Sequence, residues 1–180
     1  AMKALVERDA LTGLLNRRGL DEALGREMAR AARTGLPLTV VMIDIDGFRA
    51  VNNMTYAHGD LVLREFARAL EDACRATDIL CRRGGDEFLL LLPDTPCVEA
   101  LRLETRIRAI VTTTEFSNVG RLTYSAGITS LRARDTTEDI DRRASILVNE
   151  VKAAGRNGMR HDCDLDDPSL SPIPPDPSAN

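Results

Sequence analysis

Nothing in the chain marks it for a membrane. No apolar run approaches the length of a bilayer span, and the N-terminus has neither the basic nor the apolar region of a secretory signal. A dominant charge is missing too. The 24 Lys and Arg stand against 28 Asp and Glu, and the net charge of -4 argues against a general binder of nucleic acid or anionic lipid. Cysteine is sparse and unpatterned: Cys74, Cys81, Cys97 and Cys163 form no CxxC pair and have no histidine at zinc spacing. They read as reduced, mostly buried thiols of a cytoplasmic protein. There is no internal repeat.

What is present is enough for one domain with a core: 180 residues, 43% of them hydrophobic. Residues 1–8 read as a linker or cloning remnant, and 9–160 as the domain. From 161 to 180 the chain is acidic and rich in proline and serine, as a disordered tail or linker is. Removing residues 163–180 is expected to leave melting temperature and activity nearly unchanged.

Within the domain, helical and strand periods alternate. Leu20, Leu24, Met28 and Ala31 recur at helical spacing before Gly35, a stop signal. Leu38 to Asp46 is a near-continuous apolar run rich in β-branched residues, which predicts a strand buried on both faces. Val62, Leu63, Phe66 and Leu70 predict a second helix. Two short strands flank Gly84-Gly85, a hairpin signal. Thr95-Pro96 reads as an N-cap followed by proline at the first helical position, opening a helix with Ala100, Leu103, Ile107 and Ile110 on its apolar face. Leu122 to Ile128 alternates as a strand, and Ile140, Ala144, Leu147 and Val151 form a last helix ending near Gly155. The order predicts an α/β (α+β) sandwich, a mixed sheet flanked by helices with a β-hairpin on it.

The acids are placed tellingly. Asp44 and Asp46 close the apolar strand two residues apart, on one face. Asp86 and Glu87 follow the hairpin glycines. Charges at the end of a buried strand are costly unless they meet water or a cation. Hard oxygens from two strand ends suit Mg²⁺, which takes one or two carboxylates and completes its shell with water and phosphate oxygens. The glycines admit a bulky anionic ligand. On GGDE alone, a solvated acidic hairpin tip is the favoured reading; Asp44-x-Asp46 upstream shifts the balance to a site.

Arg83-Gly84-Gly85-Asp86-Glu87-Phe88 matches the signature of the GGDEF family, the diguanylate cyclases, which condense two GTP into cyclic di-GMP. The resemblance extends in order through DALTGLLNRR at 9–18, MIDIDGFRAVN at 42–52, Gly59-Asp60, LTYSAGI at 122–128 and KAAGRN at 152–157. It implies a nucleotide-cyclase-like fold and a metal, Mg²⁺ or Mn²⁺, held by Asp44, Asp86 and the carbonyl of Ile45. It implies Glu87 beside the reacting ribose hydroxyl, Asn52 and Asp60 on the guanine edge, and Gly84 and Gly85 leaving room for the nucleotide. Phe48 and Arg49 would lie beside the phosphates, with Arg49 where the family usually has lysine, and Lys152 and Arg156, one helical turn apart, would hold the terminal phosphates. Arg75-Ala76-Thr77-Asp78 resembles the family's RxxD inhibitory site for the product, although by itself it reads equally as an ion pair near a helix end.

The resemblance further implies a transient homodimer for catalysis, GTP and cyclic di-GMP as ligands, no nucleic acid, no membrane contact by this domain, and fusion to a sensory or regulatory domain. The sequence departs from the family pattern at Asn53, in the shortened MTYAHGD loop that bears on guanine recognition, and at Ser145 and Leu147-Val148-Asn149. His58, in that loop, has no assigned role. Those departures leave a second reading open, a catalytically weak module that binds GTP or cyclic di-GMP and regulates a partner domain.

Overall fold

Burial on both sides of one strand sets the layering. The computed structural model describes residues 7–164; the expectations for residues 1–6 and 165–180 lie outside them. Strand β1 (Leu38–Ile45) is buried at all eight positions, as its unbroken apolar run requires. Val41, Ile43 and Ile45 point into one core with α3 (Tyr56–Ala73) and α4 (Cys97–Thr113); Leu38, Val40 and Met42 point into another with α1 (Arg17–Thr34) and α5 (Thr137–Ala153). The sheet also contains β2 (Ile79–Gly84), β3 (Glu87–Pro93), β4 (Tyr124–Ser130) and β5 (Gly158–His161), in the order β2-β3-β1-β4-β5. Every neighbouring pair is antiparallel except β4 with β5. This is the mixed, helix-flanked sheet that the alternation predicts.

Two elements were not legible. The seven-residue α2 (Phe48–Met54) is too short to show a period, and the four-residue β5 is an edge strand. Helix ends follow local chemistry. The Asn16 side chain accepts from Gly19 N at the start of α1, and Gly35 ends it in the left-handed region at φ 70°. The expectation at Thr95-Pro96 needs correcting: Pro96 itself occupies the cap position and α4 begins at Cys97. The Thr95 hydroxyl donates to the Pro93 carbonyl and its backbone N–H to Pro37 O, and no side chain caps the helix. Among the described residues, no helix is long and apolar enough to cross a membrane.

The cysteines also depart from expectation. Cys74 and Cys81 are free, and burial pushes both thiols up to about 12. Cys97 and Cys163, however, are joined as a disulfide, with Cα atoms 6.2 Å apart. A separation of 66 residues carries no spacing signature, which is why the sequence hid the pair. Order therefore continues past residue 160. His161 ends β5, Asp162 accepts from Arg132 at 2.6 Å, and Cys163 is tied to the start of α4. A cut at 163 should thus be felt. Closing a loop of this length is worth at most about 4 kcal/mol by chain entropy. Cys163→Ser, or a reductant, should lower the melting temperature by several degrees, whereas truncation after Asp164 should not. Identical melts with and without reductant would show that the pair contributes nothing.

Candidate active site

The site begins where the central strand ends. Asp44 pairs in register with Glu87, and the Ile45 N–H donates to the Asp86 carbonyl at 3.2 Å. The backbone thus fixes the end of β1 against the hairpin. Gly85 closes the turn at φ 52°, where a side chain would be strained, and a Cβ on either Gly84 or Gly85 would meet nothing within 4 Å. That leaves an open approach above the acids. Arg82 braces the turn from below: its Nε donates to Gly85 O at 2.9 Å and its Nη1 to both oxygens of Asp9 at 3.1 and 3.2 Å. The early DALTGLLNRR stretch therefore anchors the hairpin.

Asp44 is only 7% exposed. Burial holds its carboxyl above the ordinary range; the hydrogen bond from Lys152 Nζ, at 2.7 Å, pulls it down, and the charges of Asp86 and Asp46 push it up again. Asp86 is likewise raised by burial and by Glu87, against its own backbone N–H and Lys152. Two adjacent, partly desolvated carboxylates with one lysine between them are short of positive charge. Among the described residues no group of three or more Asp, Glu, His or Cys is arranged to hold a metal. Two carboxylates and the Ile45 carbonyl nevertheless suit Mg²⁺ or Mn²⁺, whose remaining positions go to water and substrate oxygens.

Asp46 has a different task. Just past β1, its carboxylate accepts from Thr123 Oγ1 and Ser125 Oγ at 2.7 Å and from Asn157 N at 2.9 Å. Those bonds tie β4 and the segment after α5 to the strand end. Glu87 is 42% exposed, with Arg83 Nη1 at 3.7 Å; Arg83 is in turn fixed on α5 by Asp141 at 2.6 Å.

A second group lies on α2 and the start of α3. Phe48 is buried, Arg49 and Asp60 are exposed, and Asn52 is half-buried. A Cβ at Gly59 would stand 2.5 Å from Asn52 Oδ1 and 3.3 Å from the Phe48 ring. The missing side chain lets the Asn52 amide lie between the two helices, against Gly59. Thr55 caps α3 by accepting from His58 N, and His58 is half-buried with Nδ1 unpartnered. Gly59→Ala should therefore fold, since a rotatable amide can move away, yet weaken guanine binding by roughly tenfold. Calorimetry with a guanine nucleotide checks this; unchanged affinity would remove Asn52 from the site.

The two expected phosphate cations are separated. Lys152 lies in the last turn of α5, on Asp44; the chain then reverses through Gly155, Arg156 and Asn157, all at positive φ. Arg156 is exposed on this turn rather than one helical turn above Lys152. Close packing of α5 on β4 holds Lys152 in place: a Cβ at Gly127 would lie 2.6 Å from the Ala144 carbonyl oxygen.

Arg75 and Asp78 sit apart from these groups, in a cleft of about 320 Å³. Asp78 accepts from Arg75 N at 2.7 Å, so the two form a turn rather than a side-chain ion pair. The Arg75 guanidinium instead meets Glu99 at 3.5 Å, and Arg102 and Arg106 line the same cleft. Sequence reading missed these three, although positions 99, 102 and 106 share a helical face. Three arginines converging on one cleft suit a ligand with phosphate groups.

The fold and the strand-end acids define a nucleotide-cyclase-like α/β domain. A family model described as "Diguanylate cyclase, GGDEF domain" matches residues 6–158, and the chain belongs to that family. It is 42% identical over 159 residues to the response regulator PleD of Caulobacter vibrioides, covering 84% of this chain and 35% of that protein. The chain thus spans between 23% and 37% of the length of the curated relatives it matches. Among solved structures, the diguanylate cyclase SiaD of Pseudomonas aeruginosa, in complex with its activator SiaC, superposes with a TM-score of 0.83 at 37% identity, covering 89% of this chain and 63% of that one. The GGDEF domain of DgcB from Caulobacter crescentus, in complex with c-di-GMP, superposes with a TM-score of 0.81 at 25% identity, covering 87% and 93%.

Proposed function

We propose that this domain condenses two GTP into cyclic di-GMP and pyrophosphate, each domain supplying one half of the active site. The observation that carries the reading is the pair Asp44 and Asp86, held together by the Ile45–Asp86 backbone bond beneath an open glycine turn. Asp44, Asp86 and the Ile45 carbonyl would hold Mg²⁺ or Mn²⁺, which when bound offsets charge on the phosphates. The Asp60 carboxylate accepts from the guanine N1 and N2 donors, and the Asn52 amide pairs with the same base. Lys152 and Arg156 take the terminal phosphates, with Arg49 and Phe48 beside them. Glu87, partly solvated beside Arg83, takes the proton of the ribose 3′-hydroxyl as its oxygen attacks the α-phosphorus of the other GTP. The new O–P bond forms as the bond to pyrophosphate breaks, and a second transfer closes the ring.

A GTP substrate would support a cytoplasmic location, and kinship to a response regulator supports fusion to a sensory or regulatory domain. The direct test is chromatographic detection of cyclic di-GMP from GTP and Mg²⁺. A folded protein that binds GTP but forms no product would leave the second reading, a regulatory binding module.

The Arg75 cleft fits product feedback. An exposed Arg75–Glu99 pair is worth little by itself, so Arg75 is free to turn to a phosphate. Arg75→Ala should weaken cyclic di-GMP binding by roughly 10–100-fold, the worth of one charge-assisted contact, and relieve product inhibition. Calorimetry showing unchanged affinity would reduce the RATD segment to a structural turn.

A further inference from the structure

Glu104 is a buried acid that the proposed chemistry does not use. It lies inside α4 at 2% exposure, and its carboxylate accepts from Arg108 Nε at 2.8 Å and Nη2 at 2.5 Å and from the Tyr124 hydroxyl at 3.1 Å. The Arg108 guanidinium sits 4.2 Å over the Tyr124 ring. Its remaining hydrogens reach outward, to Tyr124 O at 3.2 Å, Gly158 O at 2.9 Å and Asn157 Oδ1 at 3.3 Å. One rigid fork thus joins α4, the start of β4 and the turn that carries Arg156.

Stability alone is a poor reason for this cluster, because an apolar replacement of a buried ion pair is often neutral or stabilising. The turn supplies a better one. Gly155, Arg156 and Asn157 stand at φ 114°, 65° and 45°. Left-handed backbone at a residue other than glycine costs about 1–3 kcal/mol and persists where its surroundings over-determine it. Here the ties are Gly155 N to Lys152 O at 3.3 Å, Arg156 N to Val151 O at 2.9 Å, Asn157 N to Asp46 at 2.9 Å, the pairing of Gly158 with Ser125, and the two bonds from Arg108. Asp46 holds the turn from the strand end, and Arg108 holds it from the opposite helix.

We propose that Arg108, locked by Glu104, is a positioning residue that holds the Gly155–Gly158 turn so that Arg156 meets the triphosphate of a bound guanine nucleotide. The inference rests on the GTP reading above. Arg108 touches no substrate and acts through the backbone it holds.

The test pairs two variants with two readouts. Glu104→Leu/Arg108→Met replaces the ion pair with apolar groups and keeps the core filled. Arg108→Lys keeps a cation beside Glu104 but lacks the fork that reaches Gly158 and Asn157 together. Both should keep a near-normal melting temperature. Hydrogen exchange at residues 155–158 should quicken by roughly tenfold while β1 and β3 stay protected. The Kd for a non-hydrolysable GTP analogue with Mg²⁺ should rise by roughly tenfold in each variant, and in an Arg156→Ala background should rise no further. Unchanged exchange, or equal losses of affinity in the two backgrounds, would overturn the proposal. A wild-type protein that binds no analogue would sink the GTP reading instead. The exchange arm then decides alone: faster exchange upholds Arg108 as the strut of the turn, and unchanged exchange refutes it.

Discussion

Asp86→Ala should reduce cyclic di-GMP formation by at least on the order of a hundred- to a thousandfold, the scale on which losing a preorganised electrostatic group is felt. The melting temperature should stay level or rise. The two outcomes share a cause. Asp86 and Asp44 are partly desolvated, each is pushed toward its neutral form by burial, and the charge of Asp86 adds to the pressure on Asp44. Such a pair is a liability for the fold, and deleting one member removes repulsion without opening a cavity in either core. Asp44→Ala should lose activity to the same extent, with a smaller gain in stability. It strips Lys152 of its 2.7 Å partner, but that lysine is 30% exposed and water can replace the bond. Initial rates by chromatography, with thermal melts of the same samples, check both variants. Near-normal turnover in either, at saturating Mg²⁺, would show that the strand-end pair is not the metal site.

How far the sequence disclosed this arrangement depends on the range of the interaction. The apolar run of β1, the α1 stop at Gly35 and the hairpin glycines are local signals, and each element formed where its period or turn chemistry put it. The placement of Asp44 beside Asp86 was also within reach, since adjacent strand ends in one sheet bring their termini together. Lys152 on Asp44 was not, because 108 residues separate them and only the packing of α5 at Gly127 brings them into contact. Asp46 misleads a reader of the sequence for a related reason. Alternation puts it on the face of Asp44, yet β1 ends at Ile45, and the acid is claimed by Thr123, Ser125 and Asn157. Cys97 with Cys163, and Arg102 and Arg106 with Arg75, are likewise partners that only the third dimension reveals.

On the proposed cyclase reading, specific activity should rise with enzyme concentration, because one set of Asp44, Asp86, Asn52 and Asp60 would hold only one GTP. The proposed product is two-fold symmetric, so on that reading two domains would have to face each other for each hydroxyl to reach the other's α-phosphorus. The geometry leaves room for that encounter: Asp60 and Arg156 are exposed, Glu87 is 42% exposed, and the glycine turn carries no side chains. Tested by itself, the 180-residue chain should be mainly monomeric and weakly active. At low concentration its rate should grow as the square of enzyme concentration. Fusing a parallel coiled coil before Asp9 should raise specific activity by roughly tenfold or more in that regime, since a tether supplies an effective concentration in the millimolar range. The fusion point suits the fold, because Asp9 is bonded to Arg82 and Arg82 to Gly85, so the opening segment is mechanically joined to the hairpin. The measurement is initial rate against enzyme concentration at saturating GTP, with sizing of the same dilutions. A strictly linear rate down to concentrations where only monomer elutes would mean that one domain completes the reaction alone, and the half-site arrangement would have to be abandoned.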